Sequence, residues 1–219
     1  MKTSKIIFIS FFGVIGLFLL SLLIQIDPDK KRKDLIENEA FAIPPFNHLV
    51  VEKGSNLTLI QDLADSIKLT YEKGIIISKP VYSMKGDTLV ISPVASKDYC
   101  FIELRFRNLN SIQATNCSFV MNKISAESLL IEATSVQINF YDAVALDSLK
   151  IKLSTGSNLW CYSSTLKTVN LIADKSNVDF SIDQLAELKA ELLDSSELST
   201  WKVLRSDIKT DESSRYYSR

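Results

Sequence analysis

Residues 148–200 read SLKIKLSTGSNLWCYSSTLKTVNLIADKSNVDFSIDQLAELKAELLDSSELST. Leu149, Val169 and Leu188 recur here, and Leu109 and Leu129 precede them, so the successive spacings are 20, 20, 20 and 19 residues. Nine or ten residues after each comes a second apolar position: Phe119, Ile138, Leu159, Val178 and Leu198. A polar column of Ser118, Gln137, Asn158, Asn177 and Glu197 stands immediately before that second set. Ile208 lies 20 residues beyond Leu188 and reads as the start of a last, incomplete turn. A fixed period of this length marks a solenoid. Its local texture is β, because Leu149-Lys150-Ile151-Lys152-Leu153 alternates with a period of two. A leucine-rich repeat of equal period requires L-x-x-L-x-L with an Asn at fixed offset, which the neighbouring repeats do not reproduce. The reading is an all-β chain, a single-stranded β-helix or solenoid of about 20-residue coils in which each coil buries its inward side chains against the next.

One segment supports two readings. Ser181-Ile182-Asp183-Gln184 resembles a capping box, and Leu185, Leu188 and Leu192 follow at helical spacing. In register, however, Leu188 and Leu198 continue both apolar columns, so 181–193 is expected to be another rung.

Upstream, the chain divides into short β-prone runs separated by turn signals. Leu49-Val50-Val51, Leu57-Thr58-Leu59-Ile60 and Ile67-Lys68-Leu69-Thr70-Tyr71 are punctuated by Gly54-Ser55-Asn56 and Gln61-Asp62, and Lys85-Gly86-Asp87 turns into Leu89-Val90-Ile91. Tyr99–Phe106 alternates, with Cys100, Ile102, Leu104 and Phe106 on one face. The solenoid domain is therefore placed at 46–205, with a hairpin-rich opening at 46–107 covering one end and regular coils at 108–205. A polar tail at 206–219 blunts the other end.

The segment before this domain is of a different kind. Ile6–Ile26 holds no charged residue. Twenty-one helical residues span roughly 31 Å, the thickness of a hydrocarbon core. The exit Leu22-Leu23-Ile24-Gln25-Ile26-Asp27-Pro28 lacks the small-residue pattern of a cleavage site. Residues 1–27 are accordingly expected to form an N-terminal transmembrane anchor in contact with the lipid bilayer. Residues 28–45 form a linker, basic at its front, read as a solvated spacer, with a short helix over 33–42 as the alternative. Lys2 and Lys5 precede the span and Lys30, Lys31, Arg32 and Lys33 follow it, a tally that leans towards a cytoplasmic domain.

The segments FNHLVVEKGSNLTLIQ (46–61), SIKLT (66–70) and GDTLVI (86–91), with the turns STGSNL (154–159), DKSNV (174–178) and DSSEL (194–198), resemble the putative auto-transporter adhesin head GIN domain family of bacterial envelope proteins. The resemblance covers roughly 46–205 and rests on texture and period. It departs from the family in its sparse glycine: among those later turns only Gly156 keeps one. The resemblance implies a β-helical fold and a position beyond the inner membrane, which turns the expected orientation outward.

Signals for chemistry are few. Lys+Arg 25 against Asp+Glu 26 gives a net charge of −1, and no basic stripe runs along the repeats, so nucleic acid is not an expected partner. Cys100, Cys117 and Cys161 show no metal-ligand spacing and fall in different columns, so they read as packed thiols. His48 is the lone histidine, and no nucleophile elbow surrounds any serine. Asp142, Asp147, Asp174, Asp179 and Asp183 lie on several rungs, but at differing offsets that do not repeat an acid–base pair. No cofactor, metal or catalytic residue is expected. Trp160, Trp201, Tyr141, Tyr162, Tyr216 and Tyr217 could form an aromatic surface for a glycan or an envelope protein. Of these Trp160, Tyr162 and Tyr141 are the candidate interaction residues, and Trp160 should point outward. The functional expectation is a membrane-anchored, non-enzymatic solenoid for adhesion or envelope interactions. The alternatives are a scaffold that self-associates through its ends and a polysaccharide-acting β-helix enzyme.

Overall fold

Strict alternation along the chain decides where each side chain goes. In the computed structural model Leu149, Ile151 and Leu153 are buried while Lys150 and Lys152 are exposed, and the same inward–outward pattern repeats on every coil. The structure describes residue 15 and residues 36–75, 80–92, 100–162, 164–182 and 185–218. The Ile6–Ile26 span, apart from Ile15, lies outside these residues, as do Asp183 and the front of the linker; among the described residues no helix is long and apolar enough to cross a membrane.

Residues Glu37–Arg219 form one compact unit. Its strands are β1 (Ile36–Ala42), β2 (His48–Val51), β3 (Asn56–Gln61), β4 (Ser66–Glu72), β5 (Tyr82–Lys85) and β6 (Thr88–Ile91). Then follow β7 (Cys100–Phe106), β8 (Ser111–Thr115), the long β9 (Ser118–Thr134) and β10 (Gln137–Ser154), and β11 (Asn158–Tyr162). The last are β12 (Ser164–Asp174), β13 (Asn177–Ser181), β14 (Leu185–Leu193), β15 (Glu197–Thr200), β16 (Val203–Thr210) and β17 (Arg215–Ser218).

From β8 onward each coil has three faces. On face A, Leu129, Leu149, Val169 and Leu188 stack in register. On face B, Leu57, Phe119, Ile138, Leu159, Val178 and Leu198 do so. Face C is short, with Ala126, Leu146, Leu166 and Leu185 aligned. The corner between A and B is made by Asn116, Ser135, Thr155, Lys175 and Asp194, all with φ between 49° and 56°. Glycine is therefore sparse because polar and small side chains carry the left-handed corners, with Gly156 following Thr155 at φ 73°.

The residue after the left-handed turn points inward, and it is a serine at Ser55, Ser157, Ser176 and Ser196, all buried. The single Ser196 O–H is shared between the carbonyls of Leu193 (2.6 Å) and Ala173 (2.9 Å), and Oγ accepts from the Ser176 N–H (3.2 Å). Ser157 makes the equivalent bonds to Ser154 O (2.8 Å) and Ala133 O (3.3 Å), and accepts from Val136 N–H (3.2 Å). Turning a chain through a corner strands backbone groups that a flat sheet would pair, and the Ser157, Ser176 and Ser196 hydroxyls bond them, whereas Ser55 Oγ is buried with no partner among the described residues. The repeated small-polar-then-aliphatic turns are this device.

The segment 181–193 is a rung: β14 is parallel to β12, and Leu188 pairs with Val169. Four features differ from the sequence expectation. Ser111 pairs with Leu130, so Leu109 stands one residue out of the column it was assigned to. Ile208 pairs with Ala190, and the partner of Leu188 is Ser206. The charged 206–219 stretch is part of a final rung, β16 on β14 and β17 on β15, because Ile208 and Tyr216 still supply inward side chains. Within the linker, Ile36–Ala42 is strand β1, paired with β4 and tied to it by Thr70–Asn38 (2.9 Å) and Tyr71–Glu39 (2.6 Å) bonds, where a helix was a candidate.

At the N-terminal end the order in space departs from the order in sequence. The rung formed by β2 and β3 lies between β6–β7 on one side and β8–β9 on the other, parallel to both. Strand β5 then runs antiparallel on β6, and β4 antiparallel on β7, closing the stack. The chain leaving β7 must therefore cross the β2–β3 rung to reach β8. Asp65, with only 3% of its side chain exposed, holds that crossing by accepting from Arg107 N–H (3.0 Å) and Nε (2.7 Å).

Candidate functional site

Trp160 lies on face B in β11 between buried Leu159 and Cys161, so alternation turns it outward, half-buried. Register places it between Asn139 on one rung and Asp179 on the next. Tyr162, two residues on, shares the outward face, is 43% exposed and pairs with Ser181. Tyr141 follows the Phe140–Cys161 pair at a bulge between Phe140 and Asp142, and is 67% exposed. The three candidate residues thus occupy adjoining positions on two neighbouring rungs. Tyr216 separates from them: it pairs with Leu198, packs against the core and bonds Thr200 through its hydroxyl (3.2 Å). Tyr217 faces outward, three rungs from Trp160 in the same column.

Asp179 and Ser181 belong to this surface and were not singled out as part of it by sequence. Ser181 Oγ donates to Asp179 Oδ1 at 2.6 Å. Their alternate spacing in Asn177-Val178-Asp179-Phe180-Ser181 was the available signal, readable once the strand was assigned to the outward face of face B. Beside them runs the polar column, in which Asn177 Nδ2 donates to Asn158 Oδ1 (3.1 Å) and Ser118 donates to Asn56.

The other candidate chemistry disperses. Asp147 pairs with Lys167 (2.6 Å), Asp174 stands at the end of face A opposite Leu193, and Asp179 is on face B, so the carboxylates do not converge. No group of three or more His, Cys, Asp or Glu among the described residues could hold a metal ion. The fold does bring a serine and a carboxylate to His48: Nδ1 is 2.7 Å from Ser111 Oγ, and Nε2 is 3.6 Å from Asp87 Oδ2. The Ser111 N–H is directed at Asn47 O (3.4 Å), which leaves it unavailable to stabilise an oxyanion. This chain of groups bridges β8, β2 and the β5–β6 turn, and it braces the out-of-sequence rung.

All three cysteines are free. Burial pushes the thiol of Cys117 up to about 11 and that of Cys161 well above the usual range, and raises Cys100 less. None has the lowered pKa of a nucleophile. Cys161 stacks between Phe140 and Phe180, where a small side chain is what two aromatic neighbours leave room for.

Face A carries an open groove of about 470 Å³ across five rungs, including Leu130, Lys150, Lys152, Ile172 and Glu191. Its outer column reads Glu132, Lys152, Ile172, Glu191, Lys209. Opposite charges are interspersed there, as in-register stacking demands, since like charges on adjacent rungs repel.

Solved structures of similar architecture include a putative adhesin from Bacteroides fragilis (TM-score 0.63, 9% identity, 84% of this chain and 97% of that one). A putative adhesin from Parabacteroides distasonis is similar to the same extent (TM-score 0.62, 10% identity, 84% and 94%). A putative lipid binding protein from the same species also matches (TM-score 0.55, 13% identity, 84% and 97%). These likenesses establish the β-helical fold. No family model matches the chain, and no curated protein matches its sequence.

Proposed function

We propose that the protein is a membrane-anchored, non-enzymatic β-solenoid that displays face B as a recognition surface for adhesion or envelope contacts. The anchor is Ile6–Ile26, and the domain stands on the extracytoplasmic side of the inner membrane. The observation that carries this reading is the grouping of Trp160, Tyr162 and Tyr141 with outward polar residues on consecutive rungs. Aromatic side chains cost burial energy to leave in water, and clustered ones are characteristic of binding surfaces. The fold shared with proteins described as putative adhesins points the same way.

The raised thiol pKa values make the native cysteines poor reporters, so a Glu212→Cys substitution, at an exposed position, supplies one. An impermeant thiol reagent should label it in intact spheroplasts. Labelling only after lysis would place the domain in the cytoplasm and end the proposal. Beads coated with the full chain should in addition bind cells or isolated envelopes.

A further inference from the structure

We propose that face B contains an oligosaccharide subsite built by Tyr162, Trp201, Asp179 and Ser181, with Trp160 beside it, and that its ligand is an uncharged chain of pyranose units. The proposal rests on the recognition role assigned to face B and names the chemistry it recognises.

Trp201 follows Thr200, the last residue of β15 and the partner of Phe180, so it sits at the bend that ends this rung of face B, and it is 52% exposed. Tyr162 pairs with Ser181 from the other side. The rung that carries Tyr162 and the rung that ends in Thr200-Trp201 are two spacings, about 10 Å, apart, with the Ser181 rung between them. The outward positions on the rung between them, Asn177, Asp179 and Ser181, form a polar strip. In that strip Asp179 Oδ1 is engaged by Ser181, and Oδ2 has no protein partner among the described residues. Of the two tryptophans in the chain, Trp160 stands on this face and Trp201 at the bend where its β15 rung ends.

A pyranose ring meets these features on each side. Its C–H faces stack on aromatic rings, and its hydroxyls donate to a carboxylate in charge-assisted bonds. The amides of Asn139, Asn158 and Asn177 add donors as well as acceptors around Trp160. A cation held by the aromatic rings and Asp179 would leave those donors unused. Charge selects against acidic sugars: from the Gln137 rung to the Glu197 rung, the outward columns of face B hold Asp179 and Glu197 and no Lys or Arg. Rungs repeat along the solenoid axis, so the chain of sugars should lie along that axis, across the strands.

The test is a titration of the full chain, held in a detergent without a sugar headgroup, read by tryptophan fluorescence. The probes are maltohexaose, cellohexaose and chitohexaose, with hexagalacturonate and choline as contrasts. At least one uncharged hexasaccharide should give a saturable shift, and hexagalacturonate and choline none. Asp179→Asn, nearly isosteric, and Trp201→Ala should each weaken binding about tenfold or more with unchanged circular dichroism. Trp160 reports on the second variant. Absence of a shift with every uncharged probe, a shift that survives both substitutions, or a response to choline would overturn the assignment. If coated beads still bind envelopes in that case, the recognition role stands and the oligosaccharide does not.

Discussion

The residues that hold the coils together are the inward serines of the A–B corner. Ser196 is fully buried, shares its one O–H between carbonyls of its own and the preceding coil, and accepts the Ser176 amide. Removing the hydroxyl takes the acceptor from the buried Ser176 N–H and a donor from the Ala173 carbonyl, while Leu193 O keeps the Lys175 N–H (3.2 Å), and unsatisfied buried groups cost more than the bonds themselves contribute. Ser196→Ala should therefore lower stability by about 1–3 kcal/mol, measured as the shift in the denaturant midpoint at unchanged slope. A cost no larger than that of an exposed serine, such as Ser195→Ala, would show that the column is not structural. Cys161 makes the complementary point. Its column neighbours Phe140 and Phe180 explain its size and burial without any reactivity.

At the scale of elements, the period of 20 residues and the alternation within it were enough to read the second apolar column in full, from Phe119 to Leu198, along with the polar column beside it. The rung at Leu185–Leu193 was legible for the same reason, although its composition favours helix. Tertiary stacking of Leu188 and Leu192 on Val169 and Ala173 overrides local propensity. What was not legible depends on pairing across distance. The shift of Leu109 out of column, the inserted β2–β3 rung and the seating of Trp160 between Asn139 and Asp179 are set by register, and a one-residue slip is invisible in spacing alone. The final corner was misread as a tail because its polar residues replace the next rung. Asp211 Oδ2 accepts from Asp194 N–H (2.6 Å), and Oδ1 accepts from the N–H groups of Ser213 (3.0 Å) and Ser214 (2.8 Å). The Ser214 hydroxyl foremost, then the Asp194 amide and the Ser213 groups, hold its carboxyl down to about 2 from an ordinary 3.8. A carboxylate with a depressed folded pKa stabilises above its unfolded value and loses that contribution as pH falls through the folded one. The stability difference between the wild type and Asp211→Asn should hence be constant above about pH 5 and shrink between about pH 4 and 2. A difference that persists undiminished at the acid end of that window would show that the charge contributes nothing.

The whole solenoid has two ends, and their composition bears on whether it assembles end to end. At the N-terminal end, antiparallel β4 and β5 and then β1 cover the parallel rungs, so the strand direction a second copy would have to continue is interrupted. At the C-terminal end two apolar columns stop in hydroxyl residues: Leu149, Val169 and Leu188 give way to Ser206, and Leu153, Ala173 and Leu192 to Thr210. Arg205, Asp207 and Lys209 occupy the outward positions of the same strand. Charged, short terminal strands are how β-proteins avoid edge-to-edge growth. The full chain in detergent should accordingly sediment as a single species over a wide concentration range, which distinguishes a displayed recognition module from a self-assembling scaffold. Extending the apolar columns and removing one charge, by Ser206→Leu, Asp207→Val and Thr210→Val together, should produce concentration-dependent association without loss of β signal. Rods or ladders formed by the unmodified chain would reverse the conclusion and make the ends, and not face B, the functional surface.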